Sequence, residues 1–338
     1  MTNERNTAYN STYPKGGVSC SKDSLVVNQT LVFQIKFYGK SPALRVAAKR
    51  YARSGFLFSN ILRIRMKKLI QNFPLLSFVV LNYVISWTFL YPCYRILLAA
   101  PDDTFPPLSL IGLIGAYGPS FAALMIVAIL HGKEGVRVLL KSFSKWKEHP
   151  GWYLYAILFP AVLYLIAALA HGHSLPDIKQ GLQNIPLALL IAIPFGPLGE
   201  ELGWRGYFLP ELLKKHSTVV STIILGFVWT VWHLASFTYP GAAIPSFLGV
   251  GPWSVSLYLC EIMAESFVFT YVYLKTRGSL IIAILLHAGF NASANIAQGF
   301  FPSLSDPSAG REGVFVTYII LTGVTALGLA LLSFRRTE

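Results

Sequence analysis

Along the chain, apolar runs of about 20 residues alternate with short polar stretches, and a run of that length crosses a hydrocarbon core about 30 Å thick as a helix. Eight such runs occur: Phe73 to Tyr94, Leu108 to Leu130, Trp152 to His171, Ile185 to Arg205, Thr218 to Phe237, Trp253 to Leu274, Ser279 to Ala297 and Val314 to Phe334. They predict an all-α membrane protein, a polytopic bundle of about eight transmembrane helices. The fourth run is too long for one straight span, since apolar sequence continues from Ile185 to Leu213, and Pro194, Gly196, Pro197 and Gly199 lie inside it. Proline removes a helical hydrogen bond and glycine loosens the backbone, so a kink is predicted just before Glu200.

Residues 1–65 show neither a spanning run nor the short apolar core and small-residue cleavage site of a signal peptide. Met66-Lys67-Lys68 directly before the first span has the look of a natural start. Residues 1–65 are therefore read as a basic N-terminal extension, poorly ordered or outside the core, and 66–338 as the membrane domain.

Composition agrees with this division. Charged side chains make up 13% of the 338 residues, against about 25% in soluble domains. The formal charge of +13 suggests nucleic acid at first sight. Its distribution excludes that partner: residues 1–65 alone carry +9, and the apolar remainder is nearly neutral. The three cysteines Cys20, Cys93 and Cys260 are too few and too scattered for a disulfide framework or a cysteine-based zinc module.

The loops give an orientation, because cytoplasmic loops retain Lys and Arg. With the N-terminus inside, the inner segments from Arg63 onward hold 15 basic residues and the outer loops hold Arg95, Lys179 and Arg311. Both termini are then cytoplasmic in a multi-pass protein of a prokaryotic plasma membrane, with the lipid bilayer as its surroundings. Val136, Leu139, Leu140, Phe143 and Trp146 recur at helical intervals among lysines, a pattern shared by a helix lying on the membrane surface and by an ordinary basic loop.

Ionisable residues inside a span cost roughly 2.5 to 3.5 kcal/mol on insertion scales and mark functional sites. Here they gather in spans four to seven: Glu200, Glu201 and Arg205; His233; Glu261 and Glu265; and His287 with Asn291. Glu201 and Arg205 stand four apart on one face and can pair, which leaves Glu200, about 100° around the helix, as the carboxylate without a local partner and the candidate general base. His287 and Asn291 also stand four apart. An imidazole can share a water or proton with Glu200, and an amide N–H can stabilise an oxyanion. A water-activating carboxylate, positioning imidazoles and an amide donor suit amide hydrolysis with no serine or cysteine nucleophile. His-Glu-x-x-His, Gly-x-Ser-x-Gly and an intramembrane Asp pair are all missing from the sequence.

Three motifs carry a resemblance: Glu200-Glu201-x-x-x-Arg205, Trp229-x-x-x-His233 and His287-x-x-x-Asn291. In this order, each inside a predicted span, they resemble the CPBP family, the CAAX proteases and bacteriocin-processing enzymes also called the Abi family, which includes the type II CAAX prenyl endopeptidase. The motif region is about 185–298, and the number of spans extends the likeness over Met66 to Arg336. The resemblance implies an eight-helix intramembrane endopeptidase with a central cavity and Glu200, His233, His287 and Asn291 catalytic. Glu201 and Arg205 fall on motif positions with a supporting role. Trp229 stands where the family usually has Phe and keeps a large aromatic.

Two mechanisms stay open at this point, one glutamate-dependent and without cofactor, the other a metalloprotease. Glu200, His233 and His287 would suit Zn with one open position. Glu261 and Glu265 match no motif of the family; four apart on one face, they are expected either to line the cavity and meet substrate, or to pack against Arg205 or a neighbouring helix with one of them protonated. The partner implied is a membrane-embedded peptide or protein substrate, or a lipidated C-terminus. Two rival readings use the same residues: a proton-coupled transporter, for which no inverted repeat is visible, and a non-catalytic immunity or assembly protein of the same fold.

Overall fold

A computed structural model describes residues 64–101, 104–173, 176–242, 248–306 and 310–333. The N-terminal extension lies outside them except for its last two residues, and so do Arg335 and Arg336.

The spans start where local chemistry satisfies free backbone donors. Proline occupies the first turn of α1 (Pro74–Ala99), and the short α2 (Gly112–Ala116) leads through Tyr117 into α3 (Gly118–Leu140). In α4 (Pro150–Ala170) proline again opens the helix, and α5 (Ile178–Ala192) is capped by Asp177, whose carboxylate accepts from Gln180 N at 2.9 Å. After a break come α6 (Pro197–Gly203), a π-helical turn over Trp204–Phe208 and α7 (Leu209–Leu213). The last long helices are α8 (Thr218–Trp232), continued by a 3-10 segment His233–Thr238, then α9 (Pro252–Lys275), α10 (Leu280–Phe300) and α11 (Arg311–Ser333). Ser217 and Ser279 cap α8 and α10.

Six helices, α8 counted with its 3-10 continuation, are long and apolar enough to span a membrane, and two bent pairs complete the predicted eight: 107–116 with 118–144, bent by 48°, and α5 with α6–α7, bent by 56°. The protein is an all-α polytopic membrane protein. Its centre is α10, which packs against α4, α5, α6 and α9. Of the apolar window of α10, 72% is buried, against 22% in α1 at the periphery. The lysine-bearing end of α3 and the turn after it are helical: the chain turns at Gly132 (φ 65°, ψ −156°) within α3, then continues to Ser144 with Leu139 buried and Val138 exposed.

The predicted kink falls at residues 193–196, between α5 and α6. Tyr117 holds it from the neighbouring helix: its hydroxyl donates to the Pro194 carbonyl at 3.1 Å, and its ring lies where a Cβ on Gly199 would have to be, 2.5 Å away. One turn later a Cβ on Gly203 would come within 2.4 Å of the Pro119 backbone. The two glycines let α6 press directly on the start of α3. Gly203→Val is therefore expected to destabilise the protein by about 1–3 kcal/mol or more through overpacking. Gly323→Ala, with open space around it, should leave the thermal unfolding temperature in detergent unchanged.

Candidate functional site

The turn after the kink sets two side-chain pairs next to each other. Glu201 Oε1 accepts from Arg205 Nη1 at 2.7 Å, as the four-residue spacing predicts. Glu200 is not the lone carboxylate expected from the sequence. Its Oε2 accepts two indole N–H bonds, from Trp204 Nε1 at 3.1 Å and from Trp229 Nε1 at 2.9 Å. The first partner lies four residues on and was within reach of the spacing argument, but indoles read as apolar bulk hide their donors. The second arrives from α8 and depends on tertiary packing.

Trp229 is the hub of the site. Besides holding Glu200, its ring meets the His287 ring edge-on at 5.2 Å and the His233 ring at 5.9 Å. The Arg205 guanidinium lies between aromatic faces, 4.4 Å from the Trp229 ring and 4.0 Å from that of Phe269. Such stacking favours a cation that has left water. Arg205, Glu201 and Trp204 are fully buried.

The histidines are oriented by different acceptors. His233 sits where α8 tightens into its 3-10 end, and its Nδ1 lies 2.9 Å from the Trp229 carbonyl. A carbonyl can only accept, so Nδ1 carries the proton and a neutral ring keeps Nε2 as its acceptor. His287 lines the same cavity as Glu200, and its Nδ1 lies 2.8 Å from Glu201 Oε1. The motif carboxylate thus serves two partners at once, the arginine on its own helix and the imidazole on α10.

A cavity of about 510 Å³ collects these groups. Glu200, Trp229, His233, His287 and Asn291 line it, whereas Glu201 and Arg205 lie behind its wall. At the kink the chain is glycine: a Cβ on Gly196 would stand 3.1 Å from Glu200 Oε1 and 3.3 Å from Asn291 Nδ2, so the carboxylate oxygen that the indoles leave free and the amide nitrogen both lie close to this residue.

Glu261 and Glu265 line the same cavity beside Tyr258 and are nine-tenths or more buried. One carboxylate oxygen of Glu261 has no hydrogen-bond partner. Among the described residues the ion pair of Arg205 is with Glu201.

Among the described residues no three His, Cys, Asp or Glu side chains already stand around one point as a metal site. One oxygen of Glu200 accepts two indole bonds, and Nδ1 of each histidine lies against a protein acceptor, so the groups that would meet a metal are Glu200 Oε1 and Nε2 of each histidine.

Residues 182–293 match the family model described as Rce1-like, type II CAAX prenyl endopeptidase. That stretch contains the nine site residues expected from the sequence, from Glu200 to Asn291, and Trp204 with them. A curated relative, CAAX prenyl protease 2 of Methanococcus maripaludis, is 29% identical over 150 residues, which cover 41% of this chain and 54% of the relative. The chain thus spans about half the length of the curated relative it matches.

Proposed function

We propose that this chain, similar to type II CAAX prenyl endopeptidases over its motif region, is an intramembrane endopeptidase that hydrolyses a peptide bond of a membrane-associated protein or peptide by a glutamate-dependent reaction. The observation that carries the reading is that Glu200, His233, His287 and Asn291, brought from three separate segments, line one cavity, with Glu200 Oε1 and Asn291 Nδ2 both beside Gly196.

In this mechanism the two indoles fix Glu200 through Oε2 and leave Oε1 to accept a proton from water. His233, with its acceptor nitrogen available, orients that water beside the carboxylate. As the water oxygen bonds to the scissile carbonyl carbon, the carbonyl oxygen takes up negative charge, and the Asn291 amide stabilises it, while His287, held by Glu201 through Nδ1, presents Nε2 to the water as a second acceptor. The proton held on Glu200 then passes to the departing amine nitrogen as the C–N bond breaks. Burial amplifies each of these interactions, since little water competes with them.

Incubating the purified protein with a library of membrane peptides and locating cuts by mass spectrometry tests the reading. Internal cleavage that depends on Glu200 supports it. A pH-dependent ion flux with no peptide product would replace it with the transporter.

A variant at the hub tests the positioning of the base. Trp229→Phe keeps an aromatic face against Arg205 and His287 but deletes one of the two N–H donors on Glu200. A hydrogen bond to a charged group contributes about 1.5–3 kcal/mol, so kcat on a cleaved peptide is expected to fall about tenfold or more with KM nearly unchanged. Trp204→Phe should behave alike. A rise in KM at constant kcat would instead assign Trp229 to substrate binding.

A further inference from the structure

On α9 the residues Tyr258, Glu261, Ile262 and Glu265 line the cavity, and with Phe269 they fall on one helical face in steps of three or four residues. Contacts to the two histidines fix the ends of this face. The Tyr258 ring meets that of His233 edge-on at 5.1 Å, and the Phe269 ring meets that of His287 edge-on at 5.7 Å. Glu261 and Glu265 stand between these contacts, on the stretch of α9 that runs past both imidazoles.

Among the described residues no ion pair involves either carboxylate, and no Lys or Arg lines the cavity. Arg205 lies behind the wall with its Nη1 on Glu201 at 2.7 Å, and it meets the face of α9 at the Phe269 ring, one turn beyond Glu265 and two beyond Glu261. Glu261 is 6% exposed, and its Oε2 has no hydrogen-bond partner. An ionised carboxylate so placed lacks a counter-charge and repels the one four residues on. An arriving cation removes both costs, whereas a neutral side chain removes neither and an acidic one adds to them.

The rest of the lining favours the same visitor. With Glu200, the pair brings three carboxylates to one cavity, and a cleft whose walls carry one sign of charge concentrates the other. Aromatic rings from three more helices line it: Tyr164 of α4, Phe290 of α10 and Phe315 of α11, and α11 packs against both α4 and α9. A cation that has left water gains from aromatic faces.

We propose that Glu261, supported by Glu265, forms a subsite for a basic side chain of the peptide, so that the protein cuts close to a lysine or arginine. The face from Tyr258 to Phe269 is about 16 Å long at about 1.5 Å per residue, and an extended peptide covers it in about five residues, which bounds the distance from the basic residue to the bond. The assignment to a peptide rests on the endopeptidase reading; a site for an organic cation does not.

Two arms keep these apart. In the first, the full chain is given the library of membrane peptides, all N-acetylated so that side chains carry the positive charge. At one position within about five residues of the cuts, Lys and Arg are expected about tenfold more often than Gln or Met, the scale of one charge-assisted hydrogen bond. Glu261→Asp should keep the preference and Glu261→Gln should lose it, on equal amounts of folded protein. Cuts with no such preference, or a preference unchanged in Glu261→Gln, overturn the proposal and leave the endopeptidase reading standing. The second arm needs no cleavage. A fluorophore carrying a pentylamine chain, and the same molecule with a hydroxyl in place of the amine, are titrated against wild type and Glu261→Gln in detergent, and comparison of the two proteins removes partition into the micelle. The amine should bind the wild type about tenfold more tightly than the alcohol does, and Glu261→Gln should lose that difference. If it does so while no peptide of the library is cut, the cation site stands and the endopeptidase reading fails. An amine preference that is absent from the wild type, or that persists in Glu261→Gln, overturns the site.

Discussion

Glu200→Gln is expected to lower the cleavage rate by at least ~100-fold, the lower end of what a positioned general base contributes, while leaving substrate binding intact. The substitution suits the site because Gln has the same length and its amide oxygen can still accept the indole N–H bonds of Trp204 and Trp229 that hold the side chain now. What it loses is the oxygen facing Gly196 and Asn291, which becomes an NH2 group unable to take a proton. Two bond donors, the new amide and Asn291, would then confront the carbonyl with no acceptor for the water proton. Adding His233→Ala to Glu200→Gln should cost little more, because groups that act as one unit are not additive. The measurement is cleavage rate beside peptide binding, on equal amounts of folded wild type and variants. Undiminished cleavage by Glu200→Gln would remove the residue from the mechanism and transfer the base to another carboxylate of the cavity, Glu261 or Glu265.

The helices were legible because a span is written as a length of apolar sequence, and the kink because proline and glycine are written into it. Pairing within a turn was legible too: Glu201 and Arg205 meet as their spacing requires. Contacts across the fold were not. Nothing near Glu201 in the chain announces His287, 86 residues on, and nothing near Glu200 announces the indole of Trp229. Treating Trp229 as a substitute for phenylalanine captured its bulk and passed over its N–H, the property that ties it to the carboxylate. The brace on the kink was hidden for the same reason, since Tyr117 reaches Pro194 from another helix. For Glu261 and Glu265 the spacing fixed a shared face without saying what that face looks at; packing of α9 turns it to the cavity.

The second large effect concerns stability and activity together. Glu201 Oε1 lies between Arg205 Nη1 at 2.7 Å and His287 Nδ1 at 2.8 Å, with the arginine and glutamate wholly buried. Removing one partner of a buried ion pair typically costs about 3–5 kcal/mol, because the other charge is left uncompensated. Glu201→Gln should therefore lower the unfolding temperature markedly. It should also misdirect His287: if the amide oxygen keeps Arg205, the NH2 group faces Nδ1, which must then become an acceptor and send its proton to Nε2. The same exchange of carboxylate for amide beside a catalytic imidazole lowers turnover about 10⁴-fold in a Ser-His-Asp triad by imposing the wrong tautomer. A double variant separates the two consequences. Glu201→Gln with Arg205→Met removes the stranded cation and puts an apolar chain between the Trp229 and Phe269 rings, so much of the lost stability should return. Cleavage should not return with it, since His287 still lacks its carboxylate. Recovery of cleavage alongside stability would mean that Glu201 serves only to neutralise Arg205, and that the orientation of His287 is set by the packing of α10 against Trp229 and Phe269.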